Sequence, residues 1–158
     1  MKRRVFRLES EQIVPRPRPA VFAFFTAAEN LEAITPPFLH FQITTPRPIR
    51  IEPGALIDYR LQLFGILFGW RTRIETMELD RRFTDVQVSG PYARWQHLHE
   101  FEEVSNGTCI RDVVEYELPF GLIGLAAQKI FVGRALDRIF DYRRRRIAEL
   151  FGNATMLK

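Results

Sequence analysis

Apolar and polar residues alternate along much of the chain, and this period of two predicts β-strands with one buried face. Val5–Val14 is the first predicted strand, with Phe6 and Leu8 on the same face. Short turns join the strands that follow, so the pattern predicts an antiparallel sheet. Before a final long hairpin, these further strands are predicted at residues 39–45, 55–64, 70–79 and 83–89.

Two parts of the chain have the periodicity of a helix instead. Val21, Phe24, Phe25 and Ala28 follow a proline-rich break at i, i+3, i+4 and i+7, and residues 29–34 predict a second short helix. Residues 122–151 predict a long C-terminal helix, whose apolar stripe must lie across the inner face of the sheet. The order of elements predicts an α+β fold.

The stretch from residue 90 to residue 121 predicts two long strands joined at Asn106-Gly107, a dipeptide that favours a type I′ turn. A loop of those two residues sets His97 opposite Tyr116 and His99 opposite Val114. The inner face of this hairpin then carries Trp95, His97, His99, Phe101, Asp112, Val114, Tyr116 and Leu118.

This inner face is more polar than a packed core requires, because buried polar groups cost free energy unless they are paired. We therefore predict a ligand cavity between the sheet and the C-terminal helix, with a mostly apolar wall and a few polar groups. The predicted ligand-binding residues are Tyr59, Leu61, Leu63, Trp70, Thr72, Ile74, Trp95, His97, His99, Asp112, Val114, Tyr116, Leu136, Ile139 and Phe140.

Composition and charge narrow the function classes. The 158 residues are 46% hydrophobic and 27% charged, which predicts one globular domain over residues 1–158. The lone cysteine, Cys109, favours a reducing, cytoplasmic setting. The net charge is +4, but the arginines are scattered among acidic residues, so no nucleic-acid partner is predicted. We interpret the dense run Arg143–Arg146 as a solvated helix face, with Asp141 paired to Arg145; a phosphate or anionic-membrane patch is the alternative.

Two motifs carry a resemblance to a known family. The first is G-P-Y-x-x-W-x-H-x-H-x-F from Gly90 to Phe101, and the second is D-x-V-x-Y-x-L-P-x-G from Asp112 to Gly121. With the predicted topology, they resemble the START-related SRPBCC superfamily, which includes polyketide cyclase/dehydrase-like and lipid-transfer proteins. The resemblance implies a helix-grip fold, in which a curved antiparallel sheet of about seven strands wraps around the C-terminal helix and leaves a ligand cavity.

The implied fold brings three loops together at the mouth of that cavity, at residues 64–69, 90–93 and 119–124. The apolar residues expected around this mouth are Phe64, Ile66, Leu67, Phe68, Tyr92 and Phe120. Such a surface indicates a gate, a transient membrane contact or a homodimer contact. Ordinary packing of residues 64–70 under the long helix is the alternative.

Binding of a small, mostly apolar ligand is the function that we predict, and a polyketide-like aromatic, a quinone, an isoprenoid or a lipid would each suit the cavity. The alternative is a cyclase or dehydratase, in which Asp112 orients His99 and Tyr116 donates to an enolate. A metal bound by His97 and His99, with Asp112 or His40 as third ligand, is a weaker hypothesis. We predict no metal, no cofactor and no assigned catalytic residue.

Overall fold

A computed structural model describes residues 3–152, and in this part of the chain seven strands form one antiparallel sheet. The spatial order is β1-β7-β6-β5-β4-β3-β2, so the first strand pairs with the last. This confirms the predicted α+β helix-grip fold. The strands are β1 (Val5–Val14), β2 (Gln42–Ile43), β3 (Leu56–Leu63), β4 (Ile66–Glu78), β5 (Arg82–Ser89), β6 (Arg94–Val104) and β7 (Gly107–Glu117).

Two short helices, α1 (Arg18–Phe25) and α2 (Asn30–Ala33), follow the first strand, as predicted. The C-terminal helix runs from Gly121 to Phe151 as α3 (Gly121–Ala127), a π-helical turn (Gln128–Val132) and α4 (Gly133–Phe151). No helix within residues 3–152 has both the length and the apolar character needed to cross a bilayer.

The predicted strand at residues 39–45 is mostly wrong, because it shrinks to the two residues of β2. A 3-10 turn, Pro37–Leu39, takes up its start, and His40 then adopts a left-handed backbone with φ of 44°. Pro46 and Pro48 follow, and a proline has no N–H to donate to a neighbouring strand. The strand is therefore limited by the left-handed backbone before it and by the two prolines after it.

The predicted loop at residues 64–69 is a tight hairpin turn instead. Leu63 pairs with Ile66, so the turn consists of Phe64 and Gly65 and residues 66–69 belong to β4. Both turn residues have positive φ, 52° and 75°, as a two-residue turn needs to match the strand twist. The side chain of Phe64 is consequently held at the tip of the hairpin.

The register predicted for the β6–β7 hairpin is wrong by two residues. Val104 pairs with Gly107, so that the turn is Ser105-Asn106, and His99 lies opposite Asp112. A shift of two keeps every side chain on its predicted face, because the side-chain period of a strand is two. Gly107 therefore belongs to β7 and not to the turn. Its backbone approaches β1 so closely that a Cβ there would lie 2.0 Å from the Val14 carbonyl oxygen.

The apolar core fills the end of the sheet near this turn. Phe22 of α1 packs edge-on against Phe83 and Phe101 of the sheet. Ile147 and Phe151 of α4 belong to the same buried cluster. The open half of the sheet, toward the β3–β4 hairpin, is left for the candidate site.

We expect Gly107→Ala to lower the free energy of unfolding by about 2 kcal/mol or more. The new Cβ would push the Val14 carbonyl away, and the φ of 147° at residue 107 is one that alanine rarely adopts. Gly69→Ala is the control, since nothing lies within 4 Å of its Cβ position, and should change stability by no more than about 0.5 kcal/mol. Urea unfolding measures both variants. Equal stabilities would contradict the close approach.

Candidate functional site

A cluster of ionisable side chains, buried except for the half-buried Asp85, lies between α4 and strands β5, β6 and β7. Neighbouring strands bring the sheet residues together, because Asp85 pairs with His97 across β5–β6 and His99 pairs with Asp112 across β6–β7. Arg143 reaches the cluster from α4 and is only 6% exposed. We call these five residues the buried polar network.

Short contacts connect the network. His97 Nε2 lies 2.9 Å from Asp112 Oδ1, and His99 Nε2 lies 2.7 Å from Asp85 Oδ2. Arg143 donates from Nη2 to Asp112 Oδ1 over 3.3 Å. His99 Nδ1 is also 3.1 Å from Asp112 Oδ1, but the angle is too poor for a hydrogen bond. One carboxylate oxygen therefore faces three nitrogen groups.

Both carboxylates are ionised. Burial raises the pKa of Asp112, but the charge of Arg143, the hydrogen bond from His97 and the close contact with His99 outweigh it and place the pKa well below its usual value. Burial also raises the pKa of Asp85. The hydrogen bond from His99 and the nearby positive charges outweigh it, so that the pKa of Asp85 is lowered. An ionised carboxylate only accepts, so His97 Nε2 and His99 Nε2 carry protons.

The pKa values of the two histidines are shifted in opposite directions. Burial lowers the pKa of His97, and the adjacent charge of His99 adds to the shift. Burial also disfavours the charged form of His99, but Asp112 and Asp85 outweigh it and raise the pKa of His99. Of the two imidazoles, His99 therefore holds a proton more readily. When His99 is protonated, it and Arg143 carry two positive charges that face the two carboxylates.

Aromatic rings cover the network. Phe83 stacks on the His99 ring at 4.2 Å, and Phe140 of α4 meets the His97 ring edge-on at 5.7 Å. The Arg143 guanidinium lies 5.2 Å from the ring centre of Phe25. These contacts restrict the rotamers of the charged groups.

A cavity of about 190 Å³ lies between the sheet and α4, on the mouth side of the network. Its wall is mostly apolar and aromatic, with charged groups from the network. Of the residues predicted from sequence, the following lie in this wall: Tyr59, Leu61, Leu63, Trp70, Thr72, Trp95, His97, His99, Leu136, Ile139 and Phe140.

Four residues predicted for the wall lie elsewhere. Ile74 lines a smaller adjoining space of about 60 Å³, which shares His99 and Arg143 with the cavity wall. Asp112 contacts the histidines but is not in the wall, and Val114 is fully buried in a cluster with Leu136 and Phe140. Tyr116 donates its hydroxyl to Gln128 Oε1 at 2.9 Å, and its ring stacks on Phe6. The two-residue register shift sets Tyr116 beside Trp95 instead of His97.

Sequence reasoning missed two members of the network. Asp85 could not be assigned, because both faces of residues 83–88 are plausible inner faces. The interpretation of Arg143 as part of a solvated face is wrong, and Asp141 pairs with Arg144 instead of Arg145. A signal for Arg143 does exist in the sequence, since it continues the helical spacing of Leu136, Phe140 and Ile147.

Three of these residues have the donor atoms of a metal site. Side-chain atoms of Asp85, His97 and His99 lie within 4.8 Å of one another. Each histidine already donates from Nε2 to a carboxylate, and Arg143 adds a positive charge to the same cluster. His40 is exposed after the 3-10 turn and is not a member. That no metal binds here stays a prediction.

We expect Arg143→Met to lower the free energy of unfolding by about 3–5 kcal/mol, because the Asp112 carboxylate would lose a buried cation. Arg145→Met, on the exposed side of the same helix, is the control and should cost no more than about 0.5 kcal/mol. Chemical denaturation of both variants checks this. Similar losses in the two variants would show that the ion pair does not stabilise the fold.

The raised pKa of His99 predicts a pH dependence. Its charged form stabilises the fold fully below the ordinary value of 6.5, and this contribution is lost as the pH rises through the higher folded-state pKa. The stability difference between wild type and His99→Gln should therefore shrink above that range. Urea unfolding over a pH series measures it, with the exposed His40→Gln as control. A stability difference between wild type and His99→Gln that grows with pH would contradict the raised pKa of His99.

Comparison with known proteins agrees with this architecture. A family model described as polyketide cyclase / dehydrase and lipid transport matches residues 14–140. No curated protein matches the chain. Among solved structures, protein CV1439 from Chromobacterium violaceum is 12% identical with a TM-score of 0.69, covering 93% of this chain and 96% of that one. Ginseng major latex-like protein 151 from Panax ginseng is 10% identical with a TM-score of 0.68, covering 93% and 97%.

A further similar structure is the nucleoside-diphosphate sugar epimerase from Corynebacterium glutamicum, at 25% identity and a TM-score of 0.63. The match covers 90% of this chain but 28% of that one, so the fold there is part of a longer chain. The family model covers well over half of the present sequence and confirms the resemblance inferred from its two motifs. This chain belongs to the polyketide cyclase/dehydrase and lipid transport family.

Proposed function

We propose that this protein binds and carries a small, mostly apolar molecule that bears an uncharged polar group. Membership of the family implies binding of a hydrophobic ligand in general. The observation that carries the proposal is the cavity of about 190 Å³, whose wall is apolar except at the end formed by the buried polar network. Pockets that bind small molecules combine these two features.

The volume of the cavity limits the size of what it encloses. An apolar cavity of about 150 Å³ holds one benzene ring, so this space admits one ring with small substituents. A surface groove continues from it, since Tyr59, Trp70, Pro91 and Tyr92 line both spaces. The ring of a polyketide or quinone would fit inside, and an isoprenoid or acyl tail would lie along the groove.

The charge balance of the network favours an uncharged polar end on the ligand. Asp85 already faces His99 and Asp112 already faces Arg143, so each carboxylate has a nitrogen partner before a ligand binds. A ligand carboxylate would add an unbalanced negative charge to a buried site, and that costs several kcal/mol. A ketone, quinone or phenol oxygen would form hydrogen bonds without this cost.

A cyclase or dehydratase is the second candidate function. The observation in its favour is His97, which is neutral and oriented by Asp112, as a general base must be. Tyr116 has no part in it, because its hydroxyl is directed to Gln128 outside the cavity wall. Conversion of an aromatic polyketide that stops in His97→Gln, with binding kept within a few-fold, would establish catalysis.

We expect acetophenone to bind the protein more tightly than benzoate does, by about tenfold or more, because only benzoate adds a buried charge. Ile139→Trp should abolish acetophenone binding by filling the cavity from α4. Binding to the wild type is measured by quenching of Trp70 and Trp95 fluorescence. Binding to the variant is measured by NMR titration, because the variant has an additional tryptophan.

The matched control is Ile130→Trp, because Ile130 is exposed on the same helix and outside the cavity wall. It should bind acetophenone like the wild type. Equal loss in both variants, or no binding of acetophenone to the wild type, would reject the cavity as the binding site. Tighter binding of benzoate would reject the uncharged ligand class.

A further inference from the structure

Large apolar side chains are exposed together at the mouth end of the molecule. Phe64, Ile66 and Leu67 lie on the β3–β4 hairpin, and Phe120, Leu122 and Ile123 lie at the start of the C-terminal helix. Each is more than half exposed. We call these six residues the apolar rim. Contiguous exposed apolar surface of this kind marks an interaction site.

The two halves of the rim form one surface. The Phe64 ring lies 5.7 Å from the ring of Phe131 in the π-helical turn, which connects the hairpin to the helix. Leu67 and Phe120 line the same groove, and that groove reaches the ligand cavity. The apolar rim therefore surrounds the entrance to the cavity.

Backbone strain accompanies the exposure of two rim residues. Phe64 and Phe120 have left-handed φ angles of 52° and 67°, which bulky residues rarely adopt. In both places a glycine with positive φ follows. Turn geometry requires this conformation at Phe64, and a phenylalanine in it costs about 1–3 kcal/mol more than a residue that adopts it readily.

The charges beside the rim are mainly basic, and Asp58 in the adjoining groove is already paired with Arg71. The sequence has no aspartate or glutamate from residue 59 to 74 or from 118 to 136. Arg60, Lys129 and Arg134 are exposed within these two stretches. Two copies of the chain placed rim to rim would bring these basic groups together, whereas an anionic surface would complement them.

We propose that the apolar rim docks onto a bilayer containing anionic phospholipid, with the rim side chains in the interfacial region and the basic residues at the headgroups. Apolar burial and attraction to anionic lipid together give reversible binding of this kind. The cavity entrance then faces the bilayer, so an apolar ligand moves between cavity and lipid without crossing water. The docking itself requires no ligand and is measured independently of the cavity.

The test is co-sedimentation with vesicles of phosphatidylcholine alone and of phosphatidylcholine and phosphatidylglycerol mixed two to one. The wild type should bind the mixed vesicles more tightly. Leu122→Asp should weaken that binding at least about tenfold, since it replaces an inserted apolar side chain with a charge. Lys129→Gln should weaken it about fivefold, and only on anionic vesicles.

Leu79→Asp is the matched control, because Leu79 is 76% exposed against 71% for Leu122 and lies at the opposite end of β4. It should bind vesicles like the wild type. Failure of the wild type to bind mixed vesicles, or an equal loss in Leu79→Asp, overturns the proposal. So does a vesicle-free dimer in analytical ultracentrifugation that Leu122→Asp dissociates, because the rim is then a contact between copies.

Discussion

The contact between Asp112 and Arg143 is the constraint on which the arrangement of sheet and helix depends. Asp112 lies halfway along β7 and is buried, where an isolated carboxylate would be too costly. Arg143 brings the compensating charge from α4. Because the pair is buried, α4 is held at one rotation and one height over β7. The helix stripe of Leu136, Phe140 and Ile147 then faces the sheet.

This fixed helix explains why the interior is filled at one end and hollow at the other. Aromatic residues of α1, β5 and β6 pack against the last turns of α4 and close one end. Toward the mouth, the polar network occupies the space where apolar side chains would otherwise meet. Charged groups with fixed partners cannot collapse into a neighbouring void, so the 190 Å³ cavity stays beside them.

Apolar side chains lie at the mouth of the cavity as well as along most of the cavity wall. The groove passes between the β3–β4 hairpin and the start of α3, and apolar side chains on both sides face outward. Apolar exposure at the entrance and charge balance inside are consistent with a ligand that is itself apolar for most of its length.

The sequence by itself determined most of the elements and, on most strands, which residues share a face. Periods of two and 3.6 residues follow from backbone geometry, so β1, the hairpin strands and the long C-terminal helix were predictable. The error in the hairpin register left the inner face of β6 and β7 unchanged, because a shift of two preserves orientation. Eleven predicted residues accordingly lie in the cavity wall.

Only the tertiary structure decided which polar groups meet. Asp85 lies on a strand with two plausible faces, and its inner position depends on pairing with His97. Arg143 belongs to a run of four arginines, and only the packing of α4 on the sheet selects the one that is buried. Side-chain periodicity reports local geometry, whereas charge pairing and cavity volume arise from contacts between residues distant in sequence.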